Sequence, residues 1–309
     1  MTRILVTGAT GLIGRHAVAA LVSRGLDVHA IARAIPDTSP QSVTWHVCDL
    51  LKTDQHEALL SSIQATHLLH LAWVTEHGHF WNAPENKEWM QASQNLVKAF
   101  QSHGGQRVVM AGSCAEYDWT DLGDGVCKED QTPLKPHTLY GQVKVDTYRW
   151  LSDYTAEKKL SYAWGRVFLL FGAGESPKRL VPSIAQALAA GIDAKCSSGT
   201  QVRDFMDALN VGWAFAALVM SPVQGAVNVA SGIPRTIGDV AKALGKISGR
   251  PDLVKLGALP DREDDPGCLI ADVTRLHDEV GFSTNWDFQG ALISAYDYAS
   301  QGDVDGNVC

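Results

Sequence analysis

A glycine turn placed almost at the start of the chain constrains its fold more than any other feature. Ile4–Val6 is a short β-type run, and Thr7-Gly8-Ala9-Thr10-Gly11-Leu12-Ile13-Gly14 follows it directly. Ala17, Val18, Leu21 and Val22 then recur at helical spacing up to Gly25, a natural helix stop. Gly8 suits a tight turn, Gly11 lets backbone N–H groups approach a diphosphate, and Gly14 lets the helix lie close to the strand. The start of the helix offers unpaired N–H groups and partial positive charge, so Thr10, Leu12 and Ile13 join the three glycines as cofactor-binding candidates. The alternative is a plain glycine-rich loop, and the strand-turn-helix context weighs against it.

The alternation continues. Val28–Ala32, Val43–Val47, His67–Leu71, Arg107–Ala111 and Ser161–Val167 read as strands, with helical patterns near Gln55–Gln64, Asn86–His103 and Tyr140–Lys158 between them. Such an order predicts an α/β fold: a doubly wound parallel sheet covered by helices on both faces. Beyond Gly172 the pattern changes to helices near Leu180–Ala190, Val211–Met220, Ile237–Ser248 and Phe288–Ala299, separated by loops rich in Gly, Pro and Asp. We expect residues 1–171 to bind a dinucleotide, with 205–230 returning to that part. Residues 172–204 and 231–300 form a smaller, mostly helical substrate region, and the polar tail 301–309 frays.

Composition narrows the partners. The chain has 309 residues and a formal charge of −8, which disfavours non-specific binding to nucleic acid or anionic membrane. The opening apolar run is too short for a signal peptide, and no stretch reaches a membrane-spanning length. Six scattered cysteines without Cys-x-x-Cys spacing read as free thiols in a reducing cytoplasm. His67, His70, His77 and His79 crowd one stretch but lack any metal-ligand spacing, so we assign no metal.

Tyr140 and Lys144 stand at i and i+4, on one face of a helix. A free phenol has a pKa of roughly 10. A neighbouring ammonium is expected to lower it and make Tyr140 a proton donor and acceptor near neutrality. Ser113 follows the β-type run Val108–Ala111, so its hydroxyl should emerge at a strand end and hold the reacting oxygen. Taken alone, each could be a surface pair or a capping serine. Ala32 and Arg33 end the second strand where a carboxylate would select NAD, which favours NADP, although a solvated arginine is the competing reading. Asp49 is placed to meet an adenine edge or to cap the next segment.

At this point the sequence resembles the extended short-chain dehydrogenase/reductase family, in the NAD-dependent epimerase/dehydratase group that mostly handles nucleotide sugars. The resemblance rests on Thr7–Gly14, Asp49-Leu50, the Ser113 segment, and Pro133–Tyr140 running into Lys144. It continues through Gly165–Phe168, Phe171–Gly174, Gln201–Phe205 and Asn228–Gly232. It implies a Rossmann-type domain, a bound nicotinamide, a small substrate domain and often a homodimer through four helices. It also implies that Ser113, Tyr140 and Lys144 are catalytic, and that Leu50, Leu71, Ala72, Trp73 and Val167 pack on the cofactor. Arg203, with Arg262 as a possible second, would bind the substrate diphosphate, while surface salt bridges are the alternative for both.

The chain departs from the family at Trp89 and Leu169, where asparagine is usual. Cys114 and Ala115 stand where dehydratases place an acid, and Glu116 comes one step later, so elimination is disfavoured. Glu116 is a candidate substrate contact. These observations put net reduction of a nucleotide-linked keto-sugar first. A nucleotide-sugar epimerase with tightly held NAD(P) comes next, then reduction of a non-nucleotide carbonyl, and last a cofactor-sensing protein without catalysis.

Overall fold

The computed structural model describes residues 2–38, 40–120, 122–262, 265–283 and 287–301. Short apolar runs bounded by turns form the strands β1 (Arg3–Thr7), β2 (Asp27–Ala32), β3 (Val43–Val47), β4 (His67–His70) and β5 (Arg107–Ser113). Then come β6 (Val126–Cys127), β7 (Ser161–Val167), β8 (Leu169–Phe171), β9 (Ala194–Lys195) and β10 (Val202–Asp207). The last strands are β11 (Gly225–Val229), β12 (Pro234–Thr236), β13 (Val254–Lys255) and β14 (Cys268–Ala271). Helices are α1 (Gly14–Ser23), α2 (His56–Ile63), α3 (Glu85–Ser102), α4 (Leu139–Lys158), α5 (Leu180–Ala189), α6 (Ala208–Met220), α7 (Ile237–Ile247) and α8 (Phe288–Ser300).

Seven strands make one parallel sheet in the order β11-β7-β5-β4-β1-β2-β3. The period-two alternation of each strand sorts its residues between two cores. Ile4, Val6, Leu69 and Val109 pack against α1 and α6 through Ala17, Leu21, Val211 and Phe215. Leu5, Leu68, Val108 and Met110 face the other way, onto Leu60, Leu96 and Phe100 of α2 and α3. The strand order reverses between β1 and β4, where Thr7 lies opposite His70. In an open α/β sheet such a reversal opens a crevice at the carboxyl ends of the strands. The expected Rossmann-type sheet is present; β11 joins it and α6 packs on it, whereas 205–207 close β10 of a second sheet.

The region beyond Gly172 is less helical than its sequence predicts. Helices α5, α7 and α8 pack through Leu188, Leu244 and Leu292, but a second, mixed sheet lies beside them. In it β10 pairs antiparallel with β12 and parallel with β14 and β8, and β14 pairs with β6. Strands of two to six residues carry too little alternation to announce themselves in sequence. Two of them, β6 and β8, come from residues 126–127 and 169–171, inside the stretch assigned wholly to the dinucleotide part. The tail expected to fray lies outside the described residues beyond Gln301.

Among the described residues, no helix is long and apolar enough to cross a membrane, and no group of three His, Cys, Asp or Glu side chains is placed to hold a metal ion. Cys48, Cys114, Cys127, Cys196 and Cys268 are free thiols.

Candidate active site

The glycine turn sits at the sheet reversal. Gly8 has φ +66°, and a Cβ there would lie 2.7 Å from the Ala72 nitrogen and 2.8 Å from the Leu71 carbonyl carbon. A Cβ on Gly14 would collide with the Gly8 carbonyl oxygen. Both positions therefore demand glycine, one for its left-handed torsion and one for close approach. Thr10 and Gly11 are exposed beside the start of α1, with Leu12 and Ile13 half-buried.

The Leu71–Trp73 loop is pinned against this turn by Thr7. The Thr7 Oγ1 accepts from the backbone N–H groups of Leu71 (3.2 Å) and Ala72 (3.3 Å). It lies 2.7 Å from His70 Nδ1, and His70 Nε2 lies 2.8 Å from Ser93 Oγ, which donates to the Trp89 carbonyl. The donors and acceptors close if His70 is neutral with its proton on Nε2. Burial agrees, pushing the imidazole down to about 3. A turn stripped of side chains, held rigidly at a helix start, fits the diphosphate of a dinucleotide.

At the far end of the predicted cofactor site, Arg33 is exposed just past β2. Asp49 accepts from the Leu51 N–H at 3.1 Å, a local turn bond, and Leu50 is buried in the core.

Ser113, Tyr140 and Lys144 come together at the same sheet edge. Ser113 closes β5 in register with Val167, which closes β7. Its N–H donates to Glu116 Oε1 at 2.7 Å, and its Oγ accepts from the Ala115 N–H at 3.2 Å. Helix α4 starts where Thr138 Oγ1 accepts from the Gly141 N–H at 3.1 Å, placing Tyr140 in the first turn. The Tyr140 N–H donates to the Trp81 carbonyl at 2.9 Å. Its ring meets Phe80 and Trp81 edge-on, with centroids 5.0 and 6.0 Å away. Lys144, 3% exposed, donates from Nζ to the Ala111 carbonyl at 2.9 Å and lies 3.5 Å over the Trp73 ring and 5.7 Å from the Tyr140 ring.

The electrostatics differ from the expectation in one respect. Burial raises the Tyr140 phenol, while a hydrogen bond with the Ser113 side chain and the charge of Arg179 pull it back. The Lys144 ammonium, 5.7 Å from the Tyr140 ring, is bonded to the Ala111 carbonyl and not to the phenol. Burial also drives Lys144 itself down to about 7, against the opposing pull of Glu116.

Two predicted substrate contacts, Glu116 and Arg203, are engaged within the protein. Glu116 is fully buried, with its carboxylate accepting from Arg166 Nε (2.7 Å), Trp164 Nε1 (2.9 Å) and the Ser113 N–H. A carboxylate so engaged has no face left for substrate; it fixes the end of β5. Arg203 is 3% exposed and spends its guanidinium on the Val202 carbonyl and Asp265, because a cation buried there needs a counter-charge. Arg262 is exposed, while its neighbours Asp261 and Asp265 are engaged by Ser198, Gln201 and Arg203. Arg166 and Trp164 were missed as supports of Ser113, although their spacing of two on β7 places them on one face.

A doubly wound parallel sheet with a glycine cradle at its reversal defines a dinucleotide-binding protein of Rossmann type. The profile of the NAD dependent epimerase/dehydratase family matches residues 4–230. The chain belongs to this family of enzymes. It is 25% identical to the UDP-glucose 4-epimerase uge1 of Schizosaccharomyces pombe, over 91% of this chain and 89% of that one. Among solved structures it resembles the Thermus thermophilus UDP-glucose 4-epimerase in complex with NAD, with TM-score 0.83 and 23% identity over 98% of this chain and 100% of the other. It also resembles MoeE5 in complex with UDP-glucuronic acid and NAD, with TM-score 0.81 and 27% identity over 97% of this chain and 99% of that one.

Proposed function

We propose that this chain is a nucleotide-sugar epimerase that keeps a nicotinamide dinucleotide bound through the cycle. The observation that carries the reading is the convergence of Ser113, Tyr140 and Lys144 beside the Gly8–Gly14 cradle. When bound, the nicotinamide supplies a hydride acceptor that also gives the hydride back, so no net oxidant is consumed. As phenolate, Tyr140 would take the proton of the ring hydroxyl as its carbon becomes a carbonyl and return it when the alcohol re-forms; the positive charges of the oxidised nicotinamide and of Lys144 would favour the phenolate that burial alone disfavours. Ser113 holds the same oxygen and, through its bond to Tyr140, sets the proton's path. Lys144, with its pKa brought down to about 7, exchanges protons near neutrality one helical turn from the phenol. Inversion follows when the keto-sugar presents its opposite face before reduction.

The relatives named above favour epimerisation over net reduction, and UDP-glucose and UDP-glucuronate are the first substrates to try. Net reduction with NADPH is supported by one observation, the exposed Arg33 where a carboxylate would select NAD. In the same reading residues 1–171 and 205–230 serve the cofactor, apart from the strands β6 and β8. Residues 172–204 and 231–300 serve the substrate, the enzyme works in a reducing cytoplasm, and two chains pair as a homodimer.

The test incubates the purified protein with each sugar nucleotide, with and without NADH or NADPH. The proposal expects C4 epimers to form with no net change in nicotinamide absorbance, and the released cofactor to be identified after denaturation. Stoichiometric NADPH consumption would replace the epimerase with a reductase. Tyr140→Phe is expected to keep the bound cofactor and lose about 10²–10⁴-fold in turnover.

A further inference from the structure

Lys144 is a buried cation whose nearest carboxylate belongs to another residue. Glu116, the charge that pulls on it, is paired with Arg166 instead. His70 of β4 is buried and neutral, and the Tyr140 ring stands 5.7 Å away, one turn back along α4. The ammonium keeps the Ala111 carbonyl at 2.9 Å and the face of Trp73, whose ring centre lies 3.5 Å from Nζ; the Trp164 ring of β7 is farther, at 5.9 Å. The Trp73 indole is not free to turn. Its Nε1 donates to Asn86 Oδ1 at 2.8 Å, and the Trp89 ring of α3 backs it at 6.3 Å. Asn86 is wholly buried, and its Nδ2 donates to the Phe80 and Ala83 carbonyls, both at 2.8 Å. One asparagine thus fixes a ring beside each member of the pair: Trp73 against Lys144, and the turn that carries Phe80 and Trp81 against Tyr140.

The face of an indole attracts a cation and offers no group that could take its proton. A carboxylate in that place would pair with the ammonium and cancel its field at Tyr140. An aliphatic side chain would leave the charge desolvated and drive the lysine neutral. We propose that Trp73, fixed by Asn86 and backed by Trp89, is a positioning residue: its ring keeps the Lys144 side chain charged at the Ala111 carbonyl, one helical turn from the phenol that this charge favours as phenolate. Trp89 stands where asparagine is usual in the family, so the second indole of this platform is a feature of the chain and not of the family pattern. The inference deepens the reading of Ser113, Tyr140 and Lys144 given above and rests on it for its catalytic part.

The experiment is a double-mutant cycle between Trp73→Leu and Lys144→Met on the full chain, read from urea unfolding at about pH 6 and about pH 9. Lys144, brought down to about 7 by burial, is charged at the lower pH and neutral at the higher. A cation–π contact needs the charge, so the coupling in the unfolding constant is expected to be about 2- to 30-fold larger at the lower pH. Trp73→Phe keeps a smaller ring and retains part of that difference, and it carries the test if the leucine variant does not fold. Equal coupling at both pH values would make Trp73 a packing neighbour of the lysine stem and overturn the proposal. Turnover of the NAD-saturated enzyme with UDP-glucose is followed separately. Trp73→Leu is expected to lose about tenfold in kcat with KM unchanged, and Trp73→Phe to recover most of it. Full kcat in Trp73→Leu would likewise overturn the proposal. If the pH-dependent coupling is found while the wild type epimerises neither UDP-glucose nor UDP-glucuronate, the placement of the ammonium stands and the epimerase reading falls.

Discussion

Lys144 shows at the scale of one residue how burial and chemistry oppose each other. Its ammonium keeps one carbonyl and the face of Trp73 as partners, and its pKa falls to about 7 from the roughly 10 of an unfolded chain. Between those two values the unfolded chain holds a proton that the folded chain has released, so stability rises with pH across that window. Below about 7 both states are protonated and the full cost of burying the charge is present. Lys144→Met is therefore expected to be more stable than wild type at about pH 6, with the gap narrowing by about pH 9. Urea midpoints at the two pH values measure this, and a gap independent of pH would refute it. The Tyr-x-x-x-Lys spacing was legible in sequence because one helical turn is a local distance. The direction of the ammonium was not, since Ala111 and Trp73 come from β5 and from the loop after β4.

Among the elements, the end of β5 depends on a polar group that no local pattern reveals. Glu116 ties the Ser113 N–H to Trp164 and Arg166 of β7, and Arg166 extends the network to the Tyr117 hydroxyl (3.1 Å), which donates to Asn228 on β11 at 2.7 Å. Both members of the Glu116–Arg166 pair are wholly buried. Removing one charge leaves the other without compensation, at a cost of about 3–5 kcal/mol. Glu116→Gln should show a loss of that size in denaturant unfolding, and activity should fall further than stability because Ser113 loses its anchor. A variant within 1 kcal/mol of wild type, roughly the level of a surface substitution, would refute this. The apolar periodicities that define β5 and β7 are readable residue by residue. Glu116 instead looked like a substrate contact, because its partner lies fifty positions downstream.

Across the whole molecule, Asp204 joins the two sheets. Buried in β10, it accepts from the Ser231 N–H and hydroxyl (2.9 and 2.6 Å), the Gly232 N–H (2.9 Å) and the Ala271 N–H (3.3 Å). Ser231 and Gly232 follow β11 of the large sheet, and Ala271 ends β14 of the small one. Burial raises this carboxyl, and the four donors hold it back. Asp204→Asn turns one acceptor oxygen into a donor facing an N–H group, so a loss of about 2–3 kcal/mol is expected, the scale of a hydrogen bond to a charged group. Hydrogen exchange should locate the loosening at residues 231–232 and 268–271, and unchanged protection there would count against the tie.

The parallel sheet, its glycine cradle and the Ser-Tyr-Lys candidates could be read from the chain because they depend on short-range physics: a glycine torsion, periods of two and 3.6, one turn of helix. The partners of the charges were settled only by the folded molecule. Glu116 and Arg203 are both ionisable residues that the sequence offered as substrate contacts. One is sealed against Arg166 and the other is tied to Asp265, because desolvation and counter-charge are set by residues that meet only after the sheets have closed.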